Sequence, residues 1–507
     1  MSLKCLHAAS EVAGFAKTGG LADVAGSLPE ALATRGLDCA VVMPLYRACR
    51  TSGQPLEPTE HRFRVPIGDR AVEGRLWRST LPGSQVPIYL IEQPEYFERD
   101  DPAAGQGLYQ FTDVQGQRAD YADNSARFGF FARGILETMR LANFWPDVLH
   151  LHDWQTGLAG IYLREHYQRF AKPDLRSRYE SIRTVFTIHN LAFQGVFWHL
   201  DMPMLGLPWN LFTMDKLEFH GKINYLKAGL VYADALTTVS PTYAREIQTT
   251  LLGCGLHGVL MQRRAQLYGI VNGIDDNVWN PATDPHIAAH FDAANLDGKA
   301  RCKAALQKEF KLGIEPTTPL LGIVSRLAVQ KGLDLVEKVV PAFLRGGAQL
   351  VVLGDGDKAY RDMLLTMRDN FPGQVGLMLA QDESLAHRIE AGVDIFLMPS
   401  RYEPCGLNQL YSLKYGTVPV VHTTGGLADT VVDASATNLQ TGKATGFSFV
   451  PATPACFANA LHACLRVYRD LPKQWRQLQL NGMAQDWSWR RSAVEYERLY
   501  RDVVQRL

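Results

Sequence analysis

The sequence has 507 residues, 46% hydrophobic and 21% charged, a globular composition too long for one ordinary core, so two or three domains are expected. Its 52 basic residues balance 52 acidic ones, which excludes a general attraction to nucleic acid or to a membrane surface. Eight scattered cysteines without CxxC or zinc spacing, no apolar signal region in Met1–Ala8 and no bilayer-length apolar stretch point to a cytoplasmic protein with reduced thiols.

Leu3 to Ala8 is a short apolar run that predicts a buried strand. Lys17-Thr18-Gly19-Gly20-Leu21-Ala22-Asp23-Val24 follows it and enters a helix with Leu21, Val24, Leu28 and Leu32 on one face. Adjacent glycines let the backbone turn sharply and approach a ligand closely. The helix start turns its N–H groups toward an anion, and Lys17 adds a mobile positive charge. Cys39 to Met43 and Pro87 to Ile91 are further strands. Residues 50–85 read as hairpins, and Arg99 to Tyr121, with Tyr109, as a polar surface loop. Asn124 to Leu141 is an amphipathic helix. Val148 to Trp154 and Val185 to Asn190 are strands running into polar turns. They place His152, Asp153, Trp154 and His189 where parallel sheets gather functional groups. Capped strand ends with locally satisfied histidines are the alternative for these residues.

Ala235 to Ser240 and Leu267 to Asn272 are strands, and a domain boundary is expected around Gln262 to Tyr268. A second series follows: Leu320 to Ser325, Leu350 to Leu353, Gly376 to Ala380, Ile395 to Pro399 and Val418 to Val421. These are short continuous apolar runs between helices, as in a parallel sheet. The last run leads into Thr424-Gly425-Gly426-Leu427-Ala428-Asp429-Thr430, a near copy of the first glycine turn. Two such turns suggest two similar α/β halves facing one ligand. Residues 452–507 are helical in pattern, anchored by Trp475, Trp487 and Trp489.

Arg326 closes one strand, and Lys331 follows ahead of Gly332 and the amphipathic Leu333-Asp334-Leu335. Two cations beside a helix start suit a diphosphate, although a solvated basic turn is the commoner use of such a pair. Glu403-Pro404-Cys405-Gly406-Leu407 lies past another strand end, where Gly406 and Leu407 open a helix toward the same phosphates. The dinucleotide fingerprint GxGxxG with its acidic partner is missing, as is the P-loop GxxxxGK[ST], and no acidic or histidine cluster has metal-ligand spacing.

Several of these motifs, taken in order, resemble bacterial glycogen synthase and plant starch synthase. They are Lys17 to Leu21, His152-Asp153-Trp154, Ile188-His189-Asn190-Leu191, Leu226-Lys227-Ala228-Gly229, Asn272-Gly273, Ser325-Arg326 through Gln330-Lys331-Gly332, and Glu403 to Leu407. The resemblance implies an α/β protein of the GT-B fold, two Rossmann-like domains with a deep inter-domain cleft. It implies an acceptor-side domain over residues 1–263, a nucleotide-sugar domain over 268–484, and a helix over 485–507 crossing back to the first domain. It implies a retaining transfer of glucose from ADP-glucose to the 4-hydroxyl of an α-1,4-glucan end, with no metal and no cofactor.

Carried across motif by motif, the resemblance assigns Arg326 and Lys331 to the diphosphate and leaving group. Lys17 and the Gly19-Gly20 turn would reach the same phosphates, with Asp23 ordering the turn. Glu403 would support the cationic anomeric centre, and His189 would bind the glucose near its 6-hydroxyl. Asp153 and Trp154 would meet the acceptor, with Tyr109 as a weaker candidate. Asn272, Cys405, Gly406, Leu407 and Asn408 would complete the nucleotide-sugar site. Gln155 and Asn408 stand where many members have histidine and threonine. Gln381 stands where many have a tyrosine stacked on adenine. The rival readings are the same transfer from UDP-glucose, a non-catalytic glucan-binding protein, and a phosphorylase-like enzyme or nucleotide-sugar epimerase on the same fold.

Overall fold

The computed structural model describes residues 2–113 and 118–505. The chain divides into two compact units, one of Met1–Val239, Ala244–Gly273 and Trp489–Leu507, the other of Ser240–Tyr243 and Ile274–Ser488. The main break falls at Gly273, beyond the stretch around Gln262 to Tyr268. The reason is that Leu267–Gly269 still pairs in parallel with Ala235–Thr238 of the first sheet. Residues 485–488 stay with the second unit, where Ile274 N donates to the Trp487 carbonyl at 2.8 Å.

The main sheet of the first unit has nine strands: β1 (Lys4–Ala8), β2 (Asp38–Pro44), β3 (Glu57–Ile67), β4 (Arg70–Thr80), β5 (Pro87–Glu92), β6 (Val148–His152), β7 (Arg183–Ile188), β8 (Ala235–Thr238) and β9 (Leu267–Gly269). Their order in the sheet is β9-β8-β7-β6-β1-β2-β5-β4-β3. Pairing is parallel from β9 to β5, and β3 and β4 add an antiparallel hairpin at one edge. Helix α1 (Gly20–Ala33) buries Leu21, Val24, Leu28 and Leu32, the face read from the sequence. Helix α2 (Asn124–Leu141) is buried almost all round. The loop over Arg99 to Tyr121 carries a small hairpin, Gln110–Thr112 against Arg118–Asp120, and its residues 114–117 lie outside the described residues.

The second unit holds six strands: β10 (Leu320–Val324), β11 (Gln349–Leu353), β12 (Val375–Met378), β13 (Ile395–Met398), β14 (Val418–His422) and β15 (Phe447–Phe449). All are parallel, in the order β12-β11-β10-β13-β14-β15. Alternate residues enter different cores. Leu321, Val352, Ile395 and Leu397 pack in one, and Leu320, Val351, Phe396 and Met398 in the other. Burial on both faces explains why these strands read as continuous apolar runs.

In both sheets the chain winds outward in two directions from a central pair, β1 beside β6 and β10 beside β13. At such a reversal the loops beyond the strand ends diverge and leave a crevice. Lys17 follows β1, Asp153 follows β6, Arg326 follows β10 and Glu403 follows β13, so the topology brings these sequence-distant residues to the two switch points.

Candidate active site

In the first unit, the turn after β1 is organised by Glu11, only 3% exposed. Its carboxylate accepts the Thr18 hydroxyl at 2.6 Å, the Thr18 amide at 2.5 Å and the Tyr109 hydroxyl at 2.7 Å. Burial nevertheless pushes this carboxyl above the ordinary range. Lys17 Nζ lies 2.8 Å from Asp23 Oδ1, so Asp23 holds the lysine over the turn. Gly19 precedes α1 without a capping side chain, in extended backbone (φ −165°) that any residue adopts. A Cβ there would meet nothing within 4 Å. Neither strain nor packing within the unit requires glycine, so its value lies in the open space it leaves before the N–H groups of Gly20 and the first helical turn.

At the end of β6, Asp153 adopts φ +55° and accepts the His189 amide at 2.7 Å, tying the ends of β6 and β7 together. Burial raises its carboxyl to about 7. Trp154, which the resemblance pairs with Asp153 on the acceptor side, is packed on its aromatic faces. That side chain is 9% exposed, hemmed in by Phe128 (4.9 Å between centroids) and Phe197 (5.7 Å), with the Gly195 backbone against its ring. It is a wall behind Asp153. Tyr109 is half-buried, its hydroxyl engaged by Glu11 and Ser10. Asn272 belongs to this unit, beside the packing of Gly273 on Trp489, and its buried Oδ1 has no hydrogen-bond partner among the described residues.

In the second unit, Lys331 and Glu403 form an ion pair of 2.7 Å beyond the ends of β10 and β13. Glu403 is 5% exposed and also accepts the Ser400 hydroxyl at 2.9 Å. Arg326 is exposed on the same side of β10, two residues past its end. Gly332 (φ +67°) starts helix α3 (Leu333–Arg345) without a capping side chain, and a Cβ there would lie 2.1 Å from the Pro399 carbonyl oxygen. That close approach draws the start of α3 against the Glu403 loop.

The second glycine turn has a different job from the first. A Cβ on Gly425 would fall 1.9 Å from the Glu403 carbonyl oxygen and one on Gly426 2.0 Å from that of Cys405. The Gly426 amide donates to the Glu403 carbonyl at 3.1 Å. Gly425-Gly426 is therefore the floor on which the Glu403 loop rests. Cys405 is buried, and Gly406 takes φ +71°. Leu407 leads into helix α4 (Asn408–Lys414), whose Asn408 side-chain Nδ2 donates to the Val324 carbonyl and fixes α4 against the end of β10. Gln381 is exposed, just ahead of Asp382, which caps the next helix through Leu385 N at 2.8 Å.

Glu11 and Ser400 were missed in the sequence. Ser10-Glu11 directly past β1, a carboxylate between apolar runs, was the available signal for the first. Ser400 offered none beyond its place three residues before Glu403.

The chain matches the family model "Starch synthase catalytic domain" over residues 4–262 and "Glycosyl transferases group 1" over 306–478. It is 46% identical over 503 residues to a glycogen synthase of Syntrophotalea carbinolica and 47% over 502 residues to one of Anaeromyxobacter dehalogenans. In each case 99% of both chains is covered. Its structure is similar to the catalytic domain of starch synthase IV from Arabidopsis thaliana bound to ADP and acarbose, with a TM-score of 0.87 at 32% identity over all of both chains. No helix among the described residues is long and apolar enough to cross a membrane. With two Rossmann-like units and these full-length matches, the chain belongs to the family of bacterial glycogen synthases and plant starch synthases, GT-B glycosyltransferases that elongate a glucan.

Proposed function

We propose that the protein transfers glucose from ADP-glucose, with retention, to the 4-hydroxyl at the non-reducing end of an α-1,4-glucan. The observation that carries this reading is the Lys331–Glu403 pair at the switch point of the second sheet, beside the uncapped start of α3. A cation there stabilises a departing diphosphate, and a carboxylate beside it supports the positive charge that grows on the sugar. Arg326 adds a second cation for the diphosphate. The ADP in the similar starch synthase IV supports adenine over uracil as the donor base.

Glu403 is engaged by Lys331 and Ser400, which suits charge support better than attack on the anomeric carbon. A double displacement would need a carboxylate directly beneath the sugar. The reading is therefore a front-face transfer in which the departing phosphate takes the proton of the incoming 4-hydroxyl. In the first unit, the open space at Gly19, the first turn of α1 and Lys17 suit a phosphate, and His189 suits a sugar hydroxyl. Asp153 serves the acceptor side, with Tyr109.

Gln381 takes the place of an aromatic base platform. Base stacking on an aromatic face is worth about 1–3 kcal/mol. The expected result is a preference for ADP-glucose over UDP-glucose, and tighter ADP-glucose binding on Gln381→Tyr. Steady-state kinetics with both donors tests it. A higher kcat/KM for UDP-glucose would overturn the donor, and no gain from Gln381→Tyr would remove Gln381 from the base site.

A further inference from the structure

The first sheet carries a file of histidines, of which the sequence motifs show only His152 and His189. In parallel register His7 of β1 stands opposite His150 of β6, and His152 opposite Thr187 of β7. The two-residue period of a strand therefore puts His7, His150, His152 and Thr187 on one face, with His189 next along that face. His7, His150 and His152 are fully buried, and Tyr500 of the last helix packs against His7 and His150. His150 is satisfied at both nitrogens, by Tyr500 Oη at 2.6 Å and Thr187 Oγ1 at 2.5 Å.

The other three rings form a chain. His7 Nδ1 lies 3.4 Å from His152 Nε2, and His152 Nδ1 lies 3.0 Å from His189 Nε2. At the inner end, His7 Nε2 is buried with no hydrogen-bond partner among the described residues. At the outer end, His189 is partly exposed.

Burial holds all three imidazoles neutral near pH 7, lowering His7 and His189 to about 3 and His152 well below its ordinary value. A neutral imidazole carries one N–H, so one ring's tautomer sets its neighbour's. Only two arrangements keep both hydrogen bonds. In one, protons point outward, from His7 Nδ1 to His152 and from His152 Nδ1 to His189, leaving a bare lone pair at His7 Nε2. In the other, all point inward and strand an N–H at His7 Nε2. A buried N–H without an acceptor is the rarer and costlier defect than an unused lone pair, so the outward arrangement wins.

We propose that His7 and His152 are positioning residues that hold His189 protonated on Nδ1, so that it offers a hydrogen-bond donor to a hydroxyl oxygen of the donor glucose. The glucose contact rests on the function proposed above; the tautomer does not. The nitrogens of His7, His150 and His152 also lie within 4.8 Å of one another. A metal there would compete with Tyr500 and Thr187 for His150. It would also bury a charge among neutral ligands with no carboxylate in the group, an uncompensated cost.

The test uses the full chain with nitrogen-15-labelled histidine and no substrate. Long-range proton–nitrogen correlation spectra should show His189 protonated at Nδ1, with Nε2 as the bare nitrogen. In His152→Phe, His189 should shift toward the Nε2-protonated form that a free histidine side chain prefers. Kinetically, His152→Phe should raise KM for the glucose donor roughly three- to tenfold, the value of one neutral hydrogen bond, with kcat little changed and no rise for a 6-deoxyglucose donor. An Nε2-protonated His189 in the unmodified protein would overturn the proposal, even where the His152 variant fails to fold. So would an equal KM rise with both donors. Nδ1 protonation in an enzyme inactive with every glucose donor would instead leave the tautomer standing and count against the assigned reaction.

Discussion

Glu403→Ala should remove nearly all glucosyl transfer while ADP still binds. The carboxylate is buried past the end of β13, held by Lys331 and Ser400, with its backbone resting on Gly425-Gly426. That support fixes it before any substrate arrives. A group aimed where charge develops acts on the transition state more than on the ground state, so the loss belongs in kcat, about 10²- to 10³-fold or more. Glu403→Gln keeps the shape and removes only the charge, and should lose nearly as much. Single-turnover kinetics with calorimetric ADP binding separates the steps. A folded variant with near-normal turnover would remove Glu403 from the chemistry.

Lys331→Ala should weaken ADP binding and also destabilise the second unit. A charge-assisted hydrogen bond to a phosphate is worth about 1.5–3 kcal/mol, or roughly a tenfold to hundredfold loss of affinity. The second effect follows from the ion pair, because the variant leaves Glu403 buried with Ser400 as its remaining side-chain partner. The double variant Lys331→Ala/Glu403→Gln distinguishes the two roles. Stability should recover, since the stranded charge is gone, and ADP affinity should stay low. Unchanged ADP affinity in Lys331→Ala would refute the phosphate role. A double variant as unstable as the single one would refute the explanation of the stability loss.

Where periodicity and strand-end placement applied, the fold was legible. Continuous apolar runs marked the parallel strands of the second unit because they are covered on both faces, and Leu21, Val24, Leu28 and Leu32 marked the buried face of α1. The duplicated glycine turn was legible as a pattern, but its meaning was not. Gly19 opens space while Gly425 and Gly426 admit backbone, and only three-dimensional packing separates the two uses. The packing around Trp154 was not legible because its neighbours Phe128 and Phe197 are distant in sequence. The histidine file escaped notice because its members come from three strands, and parallel register, which a lone sequence does not fix, brings them together.

The most direct test of the central claim is product analysis. The purified full-length chain is incubated with ADP-glucose and a maltooligosaccharide of defined length, and the products are sized by mass spectrometry before and after digestion with an α-1,4-specific hydrolase. The account predicts stepwise lengthening by single hexose units, one ADP released per unit added, and complete sensitivity to the hydrolase. Hydrolysis of ADP-glucose without lengthening, or lengthening through a linkage the hydrolase does not cut, would contradict it.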